Sequence, residues 1–246
     1  MKPVVLRSNA VPVYRFLSYL MSAEVQGHGE KQRKILDCGA GGPVPPLALF
    51  HQHGFEIWGI DVSTCQLEMA EAFCREQNHD AHLHQGDMRK TPFEDETFDA
   101  VYEHYSMCHL SKVDTALAVS EMGRVLKPGG SCFLGFISTD TFPATMLGKE
   151  RLPGEYWDEE DGEEAVLHSV FSDREAESLV SEWQVESSEK HVRYLRARAQ
   201  ELSLETWMDL YEKNGEGRSL EDWKVQYLNR IHMLRYSHLY YILKKF

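Results

Sequence analysis

At 246 residues, with 42% apolar and 26% charged residues, the chain has the composition of a soluble globular protein and not of a disordered segment. A net charge of −13 repels phosphate backbones and anionic lipid, which argues against nucleic acid or a membrane as partner. The five cysteines, Cys38, Cys65, Cys74, Cys108 and Cys132, lack CxxC spacing and predict reduced, mostly buried thiols in a cytoplasmic protein, with no disulfide scaffold and no zinc site.

The N-terminal MKPVVLRSNA has no continuous apolar core of a signal peptide, and no run of 18 uncharged apolar residues occurs, so neither secretion nor a membrane span is expected. Val11 to Met21, VPVYRFLSYLM, predicts a short helix that packs on the main domain, and residues 1–30 as a whole are read as an N-terminal helical cap ending in a polar linker.

The stretch RKILDCGAGG, Arg33 to Gly42, is a short apolar strand that stops at an acid and breaks directly into glycines. Such a break brings bare backbone N–H groups close to a ligand. Pro43, Pro45 and Pro46 fall where the first turn of a helix tolerates proline, and Gly54 is placed to end that helix. EIWGID, Glu56 to Asp61, predicts a second strand, and Ser63 with Gln66 a capping box for a helix to about Gln77. Ala81 to Gly86 predicts a third strand ending at Asp87, and Phe98 to Tyr105 a fourth. A helix over Ser111 to Leu126 carries Val113, Ala116, Leu117, Met122, Val125 and Leu126 on roughly one face. Lys127 to Gly130 then turn the chain into a fifth strand, Ser131 to Ile137. Strands and helices alternating at these intervals predict parallel β-α-β units in a doubly wound α/β sheet, with ligands at the carboxyl ends of the strands.

Residues 138–167 mix Phe142, Tyr156 and Trp157 with acids and prolines, which predicts a loop or lid. Ser172 and Glu175 form a second capping box, ahead of the stripe Ala176, Leu179, Val180 and Trp183. A sixth strand is predicted over Gln184 to Tyr194 and a seventh over Ser237 to Lys244. Between them, two helices are predicted at about Leu202 to Lys213 and Ser219 to Arg235, within an insertion spanning 197–235.

The motifs ILDCGAGG, GDM, TFDAVYEHYSMCHL and GRVLKPGG follow one another in an order that resembles class I S-adenosylmethionine-dependent methyltransferases of the small-molecule subgroup. The resemblance implies a Rossmann-like sheet of seven strands, mostly parallel, with an antiparallel last strand inserted between the fifth and sixth and helical lid insertions. Residues 1–246 are then one methyltransferase domain. It implies that Asp37, Gly39, Ala40 and Gly41 form the loop against which the methionine part of the cofactor lies. Gly42 comes one residue before the family's last glycine position, which is Pro43 here.

The resemblance also implies that Asp61, beside Val62, accepts from the ribose hydroxyls, and that Asp87 and Met88 border the adenine, with Glu103 completing the cofactor set. His104 is the candidate base near the methyl group, since an imidazole titrates near neutrality; lining a pocket wall is an equal reading for it and for His109. Tyr14 and Arg15 either close over the cofactor carboxylate or pack. His51, His53, His82 and His84 do not point to a third ligand and are not read as a metal site.

S-adenosylmethionine is thus the expected cofactor and S-adenosylhomocysteine the product. The acceptor is expected to be a small molecule methylated on O, N or S, bounded by residues 1–30, 138–167 and 197–235. The aromatics Trp207, Tyr211, Trp223 and Tyr227 there equally suit a homodimer interface. The rival readings are a protein or peptide methyltransferase and a non-catalytic cofactor-binding protein of the same fold.

Overall fold

In the computed structural model, which describes residues 11–22, 32–158, 165–194 and 235–246, the sheet grows outward from β1 (Lys34–Cys38). β1 pairs in parallel with β2 (Glu56–Asp61) on one side and with β4 (Phe98–Tyr102) on the other. β3 (Ala81–Gln85) joins β2, and β5 (Leu126–Ser138) joins β4, both in parallel. The crossovers carry α2 (Leu47–Gln52), α3 (Thr64–Glu76) and α4 (Lys112–Val125). In the order β3-β2-β1-β4-β5 the chain reverses its direction of travel between β1 and β4. That switch opens a crevice at the carboxyl ends of the strands, where ligands bind in such sheets.

β10 (Arg235–Lys244) lies antiparallel beside β5, and β9 (Gln184–Tyr194) lies antiparallel on its far side. The last strand is therefore inserted between the fifth strand and β9, as the seven-strand reading requires. Three further strands were not foreseen. β8 (Val166–Phe171) extends the end of β5 in parallel through Ile137–Val170 and Ser138–Phe171, and β7 (Glu155–Asp158) and β6 (Lys149–Leu152) continue from it antiparallel. Among its described residues, 138–167 thus carries short strands, turns and one 3-10 turn (Ala144–Leu147) where a loop or lid was expected. The side chains of β6 are all exposed, so it carries no period-2 apolar pattern, and only backbone pairing defines it. The two helices predicted within 197–235, and the linker before β1, lie outside the described residues, except that Arg235 opens β10.

Side chains alternate across the strands and fill two layers. On one face Ile35, Tyr102, Phe133 and Tyr240 meet Phe16 and Leu20 of α1 (Val11–Leu20) and Phe50 of α2. The Phe16 and Phe133 rings stack with centroids 5.6 Å apart, and Phe50 and Tyr102 lie at 5.0 Å. On the other face Leu36, Val101, Leu134 and Phe136 pack against Met122 and Val125 of α4 and Ala176 of α5 (Asp173–Leu179). The N-terminal helix is thus a structural part of the core. Ser63 caps α3 and Ser111 caps α4, while Ser172 and Glu175 form the full reciprocal capping box of α5. All five cysteines are free, and Cys65 is exposed while the other four are buried. Among the described residues no helix is long and apolar enough to cross a membrane.

Candidate functional site

β1 ends at the switch point, and its loop is fixed by the end of β2: the Gly39 and Ala40 amides donate to the Ile60 carbonyl at 2.8 and 3.1 Å. Gly39 has φ +119°, a conformation that side chains resist, and a Cβ there would lie 1.9 Å from Ser106 Oγ. A Cβ on Gly41 would lie 2.6 Å from Asp61 Oδ2. The two glycines are therefore required by close approach as well as by backbone shape. Gly42, with φ +107°, takes the turn one residue before Pro43 and donates to the Gln66 carbonyl at 3.0 Å, which ties the departing end of the loop to α3.

Gly39 and Gly41 form one wall of a cavity of about 660 Å³ at the carboxyl ends of β1, β2 and β4. This size suits a nucleoside-sized ligand, since small-molecule sites run from about 300 to 1,000 Å³. Asp61 lines it and is held by two backbone donors, Gly41 N at 3.1 Å to Oδ2 and Ser63 N at 2.9 Å to Oδ1. A carboxylate has about four lone-pair sites, so Asp61 keeps two for a ligand. Val62, Asp87, Met88 and His104 also line the cavity. Seven of the ten site residues read from the sequence are thus brought together.

Asp37, Ala40 and Glu103 do not line the cavity; they lie beneath its wall. Asp37 is 1% exposed and accepts from Tyr102 Oη at 2.6 Å. Burial pushes its carboxyl up to about 8, against the lowering by the Tyr102 hydroxyl and with help from nearby Glu103 and Asp61. Glu103 is fully buried and gathers three backbone amides, Gly135 at 2.8 Å, Met107 at 3.1 Å and Ser106 at 3.2 Å; burial still raises it to about 7. It is the brace that shapes the loop after β4. Ala40 points into the core beside β2, where a Cβ on Gly59 would approach it within 2.4 Å. Their place at the motif is structural: they hold the loops whose backbones form the wall.

After β4, Tyr105 has φ +64°, which is costly for a bulky side chain and signals a position fixed by its surroundings. Its hydroxyl accepts from Tyr240 Oη at 2.9 Å, and its ring lies 4.4 Å from His104 and 4.8 Å from His238. His238 is 4% exposed, and its Nε2 has no hydrogen-bond partner among the described residues. Burial, reinforced by Arg193, His104 and His191, lowers it to about 3, so it is a neutral imidazole. His109 lines the cavity and contacts the Leu167 carbonyl through Nδ1 at 2.9 Å, joining the site to β8.

Other sequence candidates lie elsewhere. Arg15 pairs with Glu189 on β9, and Tyr14 packs against the core; neither lines the cavity. His82 and His84 do share a face, but they stack on Trp58 at 4.3 and 5.6 Å, and His51 contacts His79 through Nδ1 at 2.9 Å. Gln66, Arg89, Ser106 and Leu110 line the cavity without having been singled out. Arg89 carried a readable signal, because a guanidinium two residues past a turn aspartate can fold back onto it. His238 carried another in its alternation with Tyr236 and Tyr240.

A switch-point crevice with a glycine wall, a backbone-held acid at the end of β2 and an antiparallel last strand defines the class I S-adenosylmethionine-dependent methyltransferase fold. Residues 36–134 match the family model described as a methyltransferase domain, and the chain carries a class I S-adenosylmethionine-dependent methyltransferase domain. A sterol 24-C-methyltransferase of Saccharomyces cerevisiae is 35% identical over 101 residues, covering 39% of this chain and 25% of that protein. A demethylmenaquinone methyltransferase of Chlorobaculum parvum is 29% identical over 137 residues, 50% of this chain and 54% of that one. The chain thus spans a quarter to about half the length of these curated relatives. In fold it is similar to a SAM-dependent methyltransferase from Methanosarcina mazei, with TM-score 0.60 and 16% identity over 92% of this chain and 98% of the other.

The residues present fit an adenosyl cofactor. The cradle that a Cβ at Gly39 or Gly41 would fill is open backbone, Asp61 keeps free lone pairs, and Asp87 and Met88 stand at the end of β3.

Proposed function

We propose that this protein binds S-adenosylmethionine in the 660 Å³ cavity and transfers its methyl group to a small molecule. The observation that carries the reading is the Gly39–Gly41–Asp61 cradle, in which two amides orient the carboxylate and neither glycine tolerates a Cβ. Gly39 and Gly41 would hold the methionine part, Asp61 the ribose, and Asp87 with Met88 the adenine. The cofactor supplies an activated methyl on a sulfonium, so the protein is required mainly to position the acceptor in line and to exclude water.

His104 and Tyr105 form the wall on the β4 side, and Tyr240 and His238 back it. A half-buried His104 there would take a proton from an acceptor whose nucleophile carries one. The names of the two curated relatives, a sterol and a demethylmenaquinone methyltransferase, support a small-molecule acceptor over a protein side chain. The sterol enzyme's name specifies a carbon atom, so carbon joins O, N and S as a candidate acceptor atom. Four buried free thiols support a cytoplasmic protein, and all 246 residues are taken as one domain.

Calorimetry with S-adenosylhomocysteine tests the reading. The intact protein is expected to bind it, and Asp61→Ala combined with Gly39→Val to abolish binding. No heat from the intact protein would sink the proposal. Radiolabel from S-adenosylmethionine moving into macromolecules of a size-fractionated extract, and not into small molecules, would shift the acceptor class to proteins.

A further inference from the structure

Arg89 is the one lysine or arginine among the described residues that line the cavity, and it has folded back onto the carboxylate assigned above to the adenine. Asp87 Oδ1 accepts from the Arg89 backbone N at 2.8 Å and from Nε at 3.0 Å; Oδ2 accepts from Nε at 2.9 Å and from Nη2 at 2.5 Å. A carboxylate offers about four lone-pair sites, and Arg89 directs three N–H donors at them, with the single Nε hydrogen shared between the two oxygens. A base amine is a neutral donor and competes poorly with a guanidinium for the same oxygens.

The other end of Arg89 is also held. Nη1 lies 2.9 Å from Asp114 Oδ1, and Asp114 is fixed at the start of α4 by Ser111 Oγ, 2.9 Å from its Oδ2. Asp114 does not line the cavity. The guanidinium therefore bridges two carboxylates, one facing the cavity and one behind it. Both carboxyls are held below their usual range, by Arg89 first in each case, so both remain ionised acceptors at neutral pH.

Resting on the cofactor reading above, we propose that Arg89 is an internal competitor for the adenine amine. Asp114 is the acceptor onto which it withdraws, so the Arg89–Asp114 pair sets how strongly the cavity selects a 6-amino purine. When a 6-amino purine enters, Arg89 gives up at least one Asp87 oxygen and keeps its charge paired with Asp114. Asp61, the other carboxylate among the described residues that line the cavity, cannot make this exchange, since it is held by backbone amides. The arrangement lies outside the motif itself: it depends on an arginine two residues beyond the acid and on an acid in the first turn of α4.

The test compares two ligands on the intact protein by calorimetry: S-adenosylhomocysteine and its 6-deamino analogue, in which hydrogen replaces the amine. The affinity ratio between them cancels any effect common to both. Arg89→Ala is expected to widen the preference for the amine about fivefold or more, the worth of a hydrogen bond to an unshared carboxylate. Arg89→Lys, which occupies fewer lone pairs, falls between it and the wild type. Asp114→Asn is expected to narrow the preference about twofold to threefold by leaving Arg89 on Asp87, and to have no effect in the Arg89→Ala background. A ratio that is unchanged or narrowed in Arg89→Ala overturns the proposal, as does an Asp114→Asn effect that persists without Arg89. Wild-type protein that binds neither ligand overturns the cofactor reading and this inference with it; binding with an unmoved ratio overturns this inference alone.

Discussion

Asp37 shows how a single side chain at the motif works through the fold and not through the ligand. Its carboxyl sits at about 8 because it is buried, whereas in the unfolded chain it ionises near the ordinary value of 3.8. The folded state therefore holds a proton that the unfolded state has lost between those two values. Stability falls as pH rises through that window and levels off above about 8. Glu103, raised to about 7, adds a loss of the same sign. Thermal unfolding midpoints are expected to drop between pH 5 and pH 8, and Asp37→Asn, which cannot ionise, to flatten the slope. A slope unchanged in the variant would show that Asp37 is ionised in the fold. Gly39→Ala belongs to the other kind of residue, since its Cβ collides with Ser106 at the cavity wall. We expect a loss of S-adenosylhomocysteine affinity of about tenfold or more, from a φ that only glycine adopts easily and a wall that must shift. A melting curve close to wild type would confirm that the damage is to the wall.

α5 is short and relies on its capping box. Ser172 Oγ accepts from the Glu175 amide at 3.3 Å, and Glu175 Oε2 accepts from the Ser172 amide at 2.8 Å. Glu175 also pairs with Lys112 at 2.6 Å, so the start of α5 is tied to the start of α4. Ser172→Ala is expected to cost about 1 kcal/mol in urea unfolding, the usual worth of a lost N-cap. An unchanged midpoint would show that the packing of Ala176 and Val180 alone sets the helix. The capping signal was legible because it is local, and so were the five parallel strands, whose apolar runs end in turn residues. β6 to β8 were not legible, because Lys149–Leu152 and Glu155–Asp158 carry charge where a core strand carries alternation. Their placement follows from β8 pairing with only the last two residues of β5, a long-range contact that no window of sequence contains. The site divides the same way. Gly39, Gly41 and Asp61 were readable from the order of motifs, whereas the burial of Asp37 and Glu103 depends on Tyr102 and Gly135, which the fold brings in from other strands.

The cavity draws its walls from loops after β1, β2, β3 and β4, so no single stretch of chain contains it, and ligand and fold are thermodynamically coupled. A ligand that binds only the folded state stabilises it by about 2.7 kcal/mol at a hundredfold excess over its dissociation constant. For a chain of this size each kcal/mol moves the melting midpoint by about 2–4 °C, so S-adenosylhomocysteine at that excess is expected to raise it by about 5–10 °C. Asp61→Ala should remove most of the rise, because the carboxylate that two amides hold in the wild type is the cavity's fixed acceptor. Leu243→Ala offers the contrast. Leu243 is fully buried on β10, between β5 and β9, on the face away from α1. Its truncation is expected to lower stability by about 2–5 kcal/mol while leaving the ligand-induced rise intact in the protein that remains folded. Equal rises in wild type and Asp61→Ala would place the binding determinants elsewhere in the molecule. A rise lost in Leu243→Ala would show that the C-terminal strand shapes the cavity as well as the core.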